Sequence, residues 1–214
     1  MSEAALRREI VAVAQAIDAA GFCPSKSGNV SARFGDGLLI TPSGLPYART
    51  QPEDIIHLAL DGTVLAGERK PSSEWPFHTA IYQARPEAQA IVHTHSPRAT
   101  ALSCARRGIP AFHYMIALCG GADVRCADYA TFGTPELARN AVAALEGRKA
   151  VLLANHGVIA LGGTLAGAHQ IVSEVENLAG QYLDLLAAGL EPAILDEAEM
   201  QRVTERFAGY GKLG

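Results

Sequence analysis

No stretch of this chain approaches the ~18 continuous apolar residues that a membrane-spanning helix needs. A basic cluster is missing too: Lys and Arg are scattered and the net charge is −4 at pH 7, which argues against nucleic acid or an anionic membrane surface as a partner. The four cysteines, Cys23, Cys104, Cys119 and Cys126, include no C-x-x-C pair, and the opening MSEAALRREIVAVAQ has no signal-peptide core. These absences predict a cytoplasmic protein with reduced thiols rather than a secreted disulfide framework. No G-x-G-x-x-G, P-loop spacing, internal repeat, low-complexity tract or linker is present. The familiar nucleotide cradles are thereby excluded, and one domain over residues 1–214 is expected.

What is present is a core. The 214 residues are 49% hydrophobic and 19% charged, which rules out a disordered chain. A chain of this length buries roughly 70% of the surface that it exposes when unfolded. Leu6, Ile10, Val13 and Ile17 recur at helical spacing up to Gly21, predicting a helix over residues 3–20. Two hairpins follow, one around Gly35-Asp36-Gly37 and one around Asp61-Gly62. Ser72 and Ser73 precede a short helix that ends before Pro86. A strand over 90–95, a helix over 97–107, strands over 111–118 and 124–131, a helix over 135–145 and strands over 149–155 and 158–161 come next. Leu165 to Leu186 mark a long amphipathic helix, and Asp196 caps a final one. Strands interleaved with helices predict an α/β fold whose sheet is covered on both faces, and the hairpins make that sheet mixed.

Three histidines stand at strand ends. His93 and His95 flank Thr94, so on a strand both rings point to one face. His156 follows the strand ending at Asn155, with Gly157 behind it. Three imidazoles with an open fourth position suit a catalytic Zn²⁺ site, and three hydrogen-bonded histidines at strand ends are the other reading. Glu74 opens the helix after two serines, either as a base or as a first-turn residue suited to the helix dipole. The Ser72-Ser73-Glu74 segment offers amides and hydroxyls to an anion, as do the small-residue loops Lys26-Ser27-Gly28-Asn29 and Thr41-Pro42-Ser43-Gly44. Each loop alone is an ordinary turn; together they point to a phosphate. His57, His78, His113 and His169 lack such pairing and read as structural, and Cys119 has no base partner for a thiol nucleophile.

These pieces in this order resemble the zinc-dependent class II aldolase family, which also holds ribulose-phosphate 4-epimerases and adducin head domains. The carrying stretches are Gly28-Asn29-Val30-Ser31, Thr41-Pro42-Ser43-Gly44, PSSEWPFHTAIYQARP, AIVHTHS and LLANHGVIALG, with IPAFHYMIALCGGADVRCADYATFGT and Phe207 to Gly211. The last two are most similar to members that cleave L-fuculose 1-phosphate-like ketose 1-phosphates. The resemblance implies a three-layer α/β/α domain with a mixed, mostly antiparallel sheet. It implies one Zn²⁺ per subunit on His93, His95 and His156, with Glu74 and Tyr114 as the acid/base groups. Gly28, Asn29, Ser43, Gly44, Ser72 and Ser73 would hold the substrate phosphate, and Phe132 and Tyr210 would lie near the aldehyde. It further implies a homotetramer with sites at subunit interfaces, cleaving a small sugar phosphate to dihydroxyacetone phosphate and an aldehyde. Rival readings are an aldolase or dehydratase for a methylthio- or deoxy-pentulose phosphate, a pentulose-phosphate 4-epimerase, and a non-catalytic adducin-like assembly domain. The chain departs from the pattern at Lys26-Ser27, which puts a cation beside the phosphate loop, and in its short tail after Gly211.

Overall fold

Hairpin chemistry and period-two alternation build most of the sheet. The protein was studied as a computed structural model that describes residues 2–209. Its strands are β1 (Asn29–Phe34), β2 (Gly37–Ile40), β3 (Ile56–Ala59), β4 (Val64–Ala66), β5 (Ala90–Thr94), β6 (Arg125–Ala127), β7 (Ala150–Leu153) and β8 (Gly157–Gly162). They form one sheet in the order β4-β3-β2-β1-β5-β8-β7-β6. Every pairing is antiparallel except that of β6 with β7. The helices are α1 (Glu3–Ala19), α2 (Trp75–Ala84), α3 (Pro97–Cys104), α4 (Pro135–Ala144), α5 (Leu165–Ala187) and α6 (Glu197–Gly209).

Alternation sorts the side chains into two cores. Val30, Ala32, Leu39, Ala90, Val92, Val158 and Ala160 pack with α1, α3 and α5 on one face. Leu38, Ile40, Ile91, Val151 and Ile159 pack with Phe77, Ile81 and Tyr82 of α2 and Leu137 and Ala141 of α4 on the other. The result is three layers, α/β/α, around a mixed and mostly antiparallel sheet. Ile91 and Val92 at its centre are fully buried, each contributing roughly 1.5–3 kcal/mol of transfer free energy. The alternation that seats Ile91 against α2 also turns His93 to that side. Among the described residues no helix is long and apolar enough to cross a membrane.

Two strand expectations need correction. Residues 111–118 are not a strand; Tyr114–Cys119 form a 3₁₀ turn. His113 caps it, its Nδ1 accepting from the Met115 amide at 3.2 Å. The turn ends at Gly120, whose φ of 92° is left-handed and whose missing Cβ would stand 2.9 Å from the Lys149 amide nitrogen. Apolar runs this short fit either structure, and here the cap and the glycine decide. The strand expected over 124–131 shrinks to β6, because only Arg125, Cys126 and Ala127 find partners on β7. Helix α3 also stops at Cys104, short of the expected Arg107.

Candidate active site

Three neighbouring strand ends carry the histidines to one point. His93 lies within β5, beside Asn29 of β1 and Ile159 of β8. Its Nδ1 is 2.9 Å from the Val158 carbonyl, so Nδ1 carries the proton and Nε2 presents a lone pair. His95 stands just past the strand, its amide donating to the Phe22 carbonyl at 3.0 Å. His156 occupies the tight turn between β7 and β8, where Asn155 takes a φ of 54°. Asparagine tolerates that left-handed conformation better than most residues. A Cβ on Gly157 would overlap the Thr94 carbonyl oxygen and come within 3.0 Å of the His95 ring and 3.3 Å of the His93 ring. Glycine there is what lets the turn close against both imidazoles.

The three rings meet edge to face with centroids 5.0, 4.9 and 4.8 Å apart. His95 Nε2 lies 3.1 Å from His93 Nε2. Glu74, immediately before α2, places Oε2 3.1 Å from His93 Nε2 and Oε1 3.0 Å from His156 Nε2. All four ligand atoms of Glu74, His93, His95 and His156 lie within 4.8 Å of one another. Imidazole nitrogens converging on a buried carboxylate fit a divalent cation. Burial alone pushes the Glu74 carboxyl up, but the His93 and His156 rings outweigh it and hold the group well below the usual carboxylate range. Burial and the neighbouring rings push His95 down to about 3, so it stays a neutral donor of its lone pair.

The cluster opens into a cleft of about 320 Å³. Gly28, Asn29, Ser43, Gly44, Ser72, Ser73 and Phe132 all line it together with Glu74, His95 and His156, so residues far apart in sequence form one wall. Not every expected amide faces it. The Ser72 amide donates to Thr41, the Ser43 amide to Lys70 and the Trp75 amide to the Ser72 carbonyl. Lys26 is in the lining, and the Ser27 hydroxyl beside it is buried without a partner. Phe132 is exposed at the rim beside Tyr129.

Tyr114 is not in this cleft. It lies half exposed on the 3₁₀ turn, stacked on His113 at 4.9 Å and near Phe207 at 6.2 Å. It borders a separate apolar cavity with Met115, Leu118 and Val203. Tyr210 lies outside the described residues. The sequence reading missed Tyr129 and Asn155 in the lining. Asn155 was findable as the αL-tolerant residue in Asn-His-Gly; Tyr129 had no signal. His78, expected to be structural, is buried and bonds Asn29 and Ser31.

Comparison with known proteins agrees with this geometry. Residues 8–183 match the family model described as Class II Aldolase and Adducin N-terminal domain. A 5-methylthioribulose-1-phosphate/5-deoxyribulose-1-phosphate aldolase of Rhodospirillum rubrum is 52% identical, covering 98% of this chain and 94% of its own. An L-fuculose phosphate aldolase of Escherichia coli is 44% identical over 96% of this chain and 95% of its own. A solved structure of an L-fuculose 1-phosphate aldolase superposes with a TM-score of 0.93 at 41% identity, over 97% of this chain and 98% of that one. Matched by one family model over most of its length and similar to aldolases along nearly all of theirs, this chain belongs to the class II aldolase and adducin family, on its aldolase side.

Proposed function

We propose that the protein is a zinc-dependent aldolase that splits a ketose 1-phosphate into dihydroxyacetone phosphate and an aldehyde. The observation that carries this is the Glu74, His93, His95 and His156 cluster opening into the cleft that also holds the small-residue loops. His93, His95 and His156 would hold the ion, since three nitrogen donors suit the borderline Zn²⁺. When bound, the ion supplies Lewis-acid polarisation of the ketone oxygen. Gly28, Asn29, Ser43, Gly44, Ser72 and Ser73 anchor the phosphate at the other end of the donor ketone, which makes proton transfer effectively intramolecular. In cleavage the hydroxyl on the far side of the breaking C–C bond loses its proton, a role we give Tyr114. In condensation Glu74 removes a proton from the hydroxymethyl carbon; in cleavage it takes up a proton from water and delivers it to that carbon.

The aldehyde half would be small and apolar at its end. Phe132 and Tyr129, exposed at the rim, offer that end an aromatic wall. The Rhodospirillum rubrum relative is named for 5-methylthio- and 5-deoxyribulose 1-phosphate, and we place these ahead of L-fuculose 1-phosphate. We further propose that residues 1–214 act as one domain in a cytoplasmic homotetramer. Tyr114, outside its own chain's cleft, would then reach a neighbour's site. The test is dihydroxyacetone phosphate release by zinc-loaded protein from all three ketose phosphates, with and without chelator. Release from none of them, with bound zinc verified, would refute the reading.

A further inference from the structure

We propose that a buried chain of hydrogen bonds, Tyr82 to Ser31 to His78 to Asn29 to Glu74, sets the Glu74 carboxylate for proton transfer, with His78 and Asn29 as positioning residues. The proposal rests on Glu74 being the base in the reading above. Its geometry comes from matching repeats. Glu74, His78 and Tyr82 recur every four residues and so share one face of α2 and its entry, about 6 Å apart along the axis. Asn29 and Ser31 alternate along β1 and point to the same side, about 6.6 Å apart. The two spacings interleave: Asn29 lies between Glu74 and His78, and Ser31 between His78 and Tyr82.

Every link is buried and the direction of each is fixed by the first. Asn29 Nδ2 donates to Glu74 Oε2 at 2.9 Å. Asn29 Oδ1 must then accept, and His78 Nε2–H donates to it. His78 is pushed down to about 3, mainly by burial, and is neutral, so its Nδ1 accepts from the Ser31 hydroxyl at 2.7 Å. The Ser31 oxygen in turn accepts from the Tyr82 hydroxyl at 2.9 Å. Phe77 stacks on the His78 ring at 4.6 Å and holds its plane. Flipping the Asn29 amide would set Oδ1 against the carboxylate and NH₂ against the His78 N–H, so the chain locks it. The consequence falls on Glu74. Oε2 is tethered to β1 by Asn29, which fixes the carboxylate plane and turns Oε1 toward His156.

The first test needs no variant. A long-range ¹H–¹⁵N spectrum of the zinc-loaded protein should show His78 protonated at Nε2 only; protonation at Nδ1 would reverse the chain and overturn the proposal. The second is His78→Phe, which removes the donor but keeps a ring. It should retain zinc, keep KM within about twofold and lose about tenfold to 100-fold in kcat, the usual effect of a lost outer partner. His78→Gln, whose amide can still donate to Asn29, should recover most of that loss. Unchanged kcat in His78→Phe, or no recovery in His78→Gln when both fold and bind zinc, would refute the role. Should His78→Phe fail to fold, Ser31→Ala, which leaves Nδ1 without its donor, takes its place with the same split expected. If the wild type cleaves no ketose phosphate, the aldolase reading fails, while the tautomer still decides whether the chain exists.

Discussion

Gly157→Ala should damage the metal cluster without touching a ligand. Its φ is not left-handed, so alanine meets no backbone penalty there. The cost is contact alone: the new methyl would overlap the Thr94 carbonyl and lie 3.0 Å from His95 Cδ2 and 3.3 Å from His93 Cε1. Two of these neighbours are ring atoms of proposed ligands, and the third belongs to β5, which carries His93 and leads into His95. Relief requires the β5–β8 pair to part or the rings to turn. Overpacking of this kind costs about 1–3 kcal/mol. At ~2–4 °C per kcal/mol for a chain of this size, the apoprotein melting point should fall by about 2–12 °C. Turned rings should weaken zinc binding by about 10–100-fold, measured by competition with a chromogenic chelator. Gly163→Ala is the control, because its Cβ would meet nothing within 4 Å, and it should stay within about 0.5 kcal/mol of the wild type. Normal zinc affinity and an unchanged melting point in Gly157→Ala would refute the argument that this glycine shapes the site.

Glu74→Gln should keep near-normal zinc content and lose deuterium exchange at the hydroxymethyl carbon of dihydroxyacetone phosphate; substantial residual exchange would assign the base elsewhere. His78 is held down at about 3 from an ordinary 6.5, mainly by burial. The unfolded chain therefore binds the extra proton first, so its share of stability is full above pH 6.5 and is lost as the pH falls toward about 3. Urea midpoints should drop over that interval, less steeply in His78→Phe, and equal slopes would show that His78 is not buried neutral. Mixing inactive Glu74→Gln with inactive Tyr114→Phe chains should restore part of the cleavage activity if sites are shared between subunits. Zero recovery after verified subunit exchange would remove Tyr114 from its role.

The motif-bearing stretches were readable because their signals are local. His93-Thr94-His95 after an apolar strand, His156 before a glycine and Glu74 after two serines could be picked out within a few residues, each with a structural reading beside the catalytic one. The hairpins at Gly35-Asp36-Gly37 and Asp61-Gly62 did so too, and β1 with β2 and β3 with β4 pair as expected. Residues 111–118 misled because apolar content alone cannot separate a strand from a 3₁₀ turn when the run is that short.

Chain order and periodicity pointed to a mixed α/β sheet covered on both faces, while the resemblance of the motif-bearing stretches implied the family and singled out Glu74, His93, His95 and His156. What they could not determine was which polar residues meet across elements. Nothing in Asn29, Ser31, His78 or Tyr82 taken singly marks a connected chain, and a one-residue slip of β1 would have turned Asn29 and Ser31 to the opposite face of the sheet. The pairing of Asn29 with His93 sets that register, and the seating of α2 over it brings His78 between the two. Tyr114 is the converse case. The resemblance implies an acid/base role for it in a site shared between subunits, and the 3₁₀ turn carries it to a surface outside its own chain's cleft. Side-chain periodicity is written along one segment, whereas contact depends on how two segments register and pack, and only the folded chain fixes that.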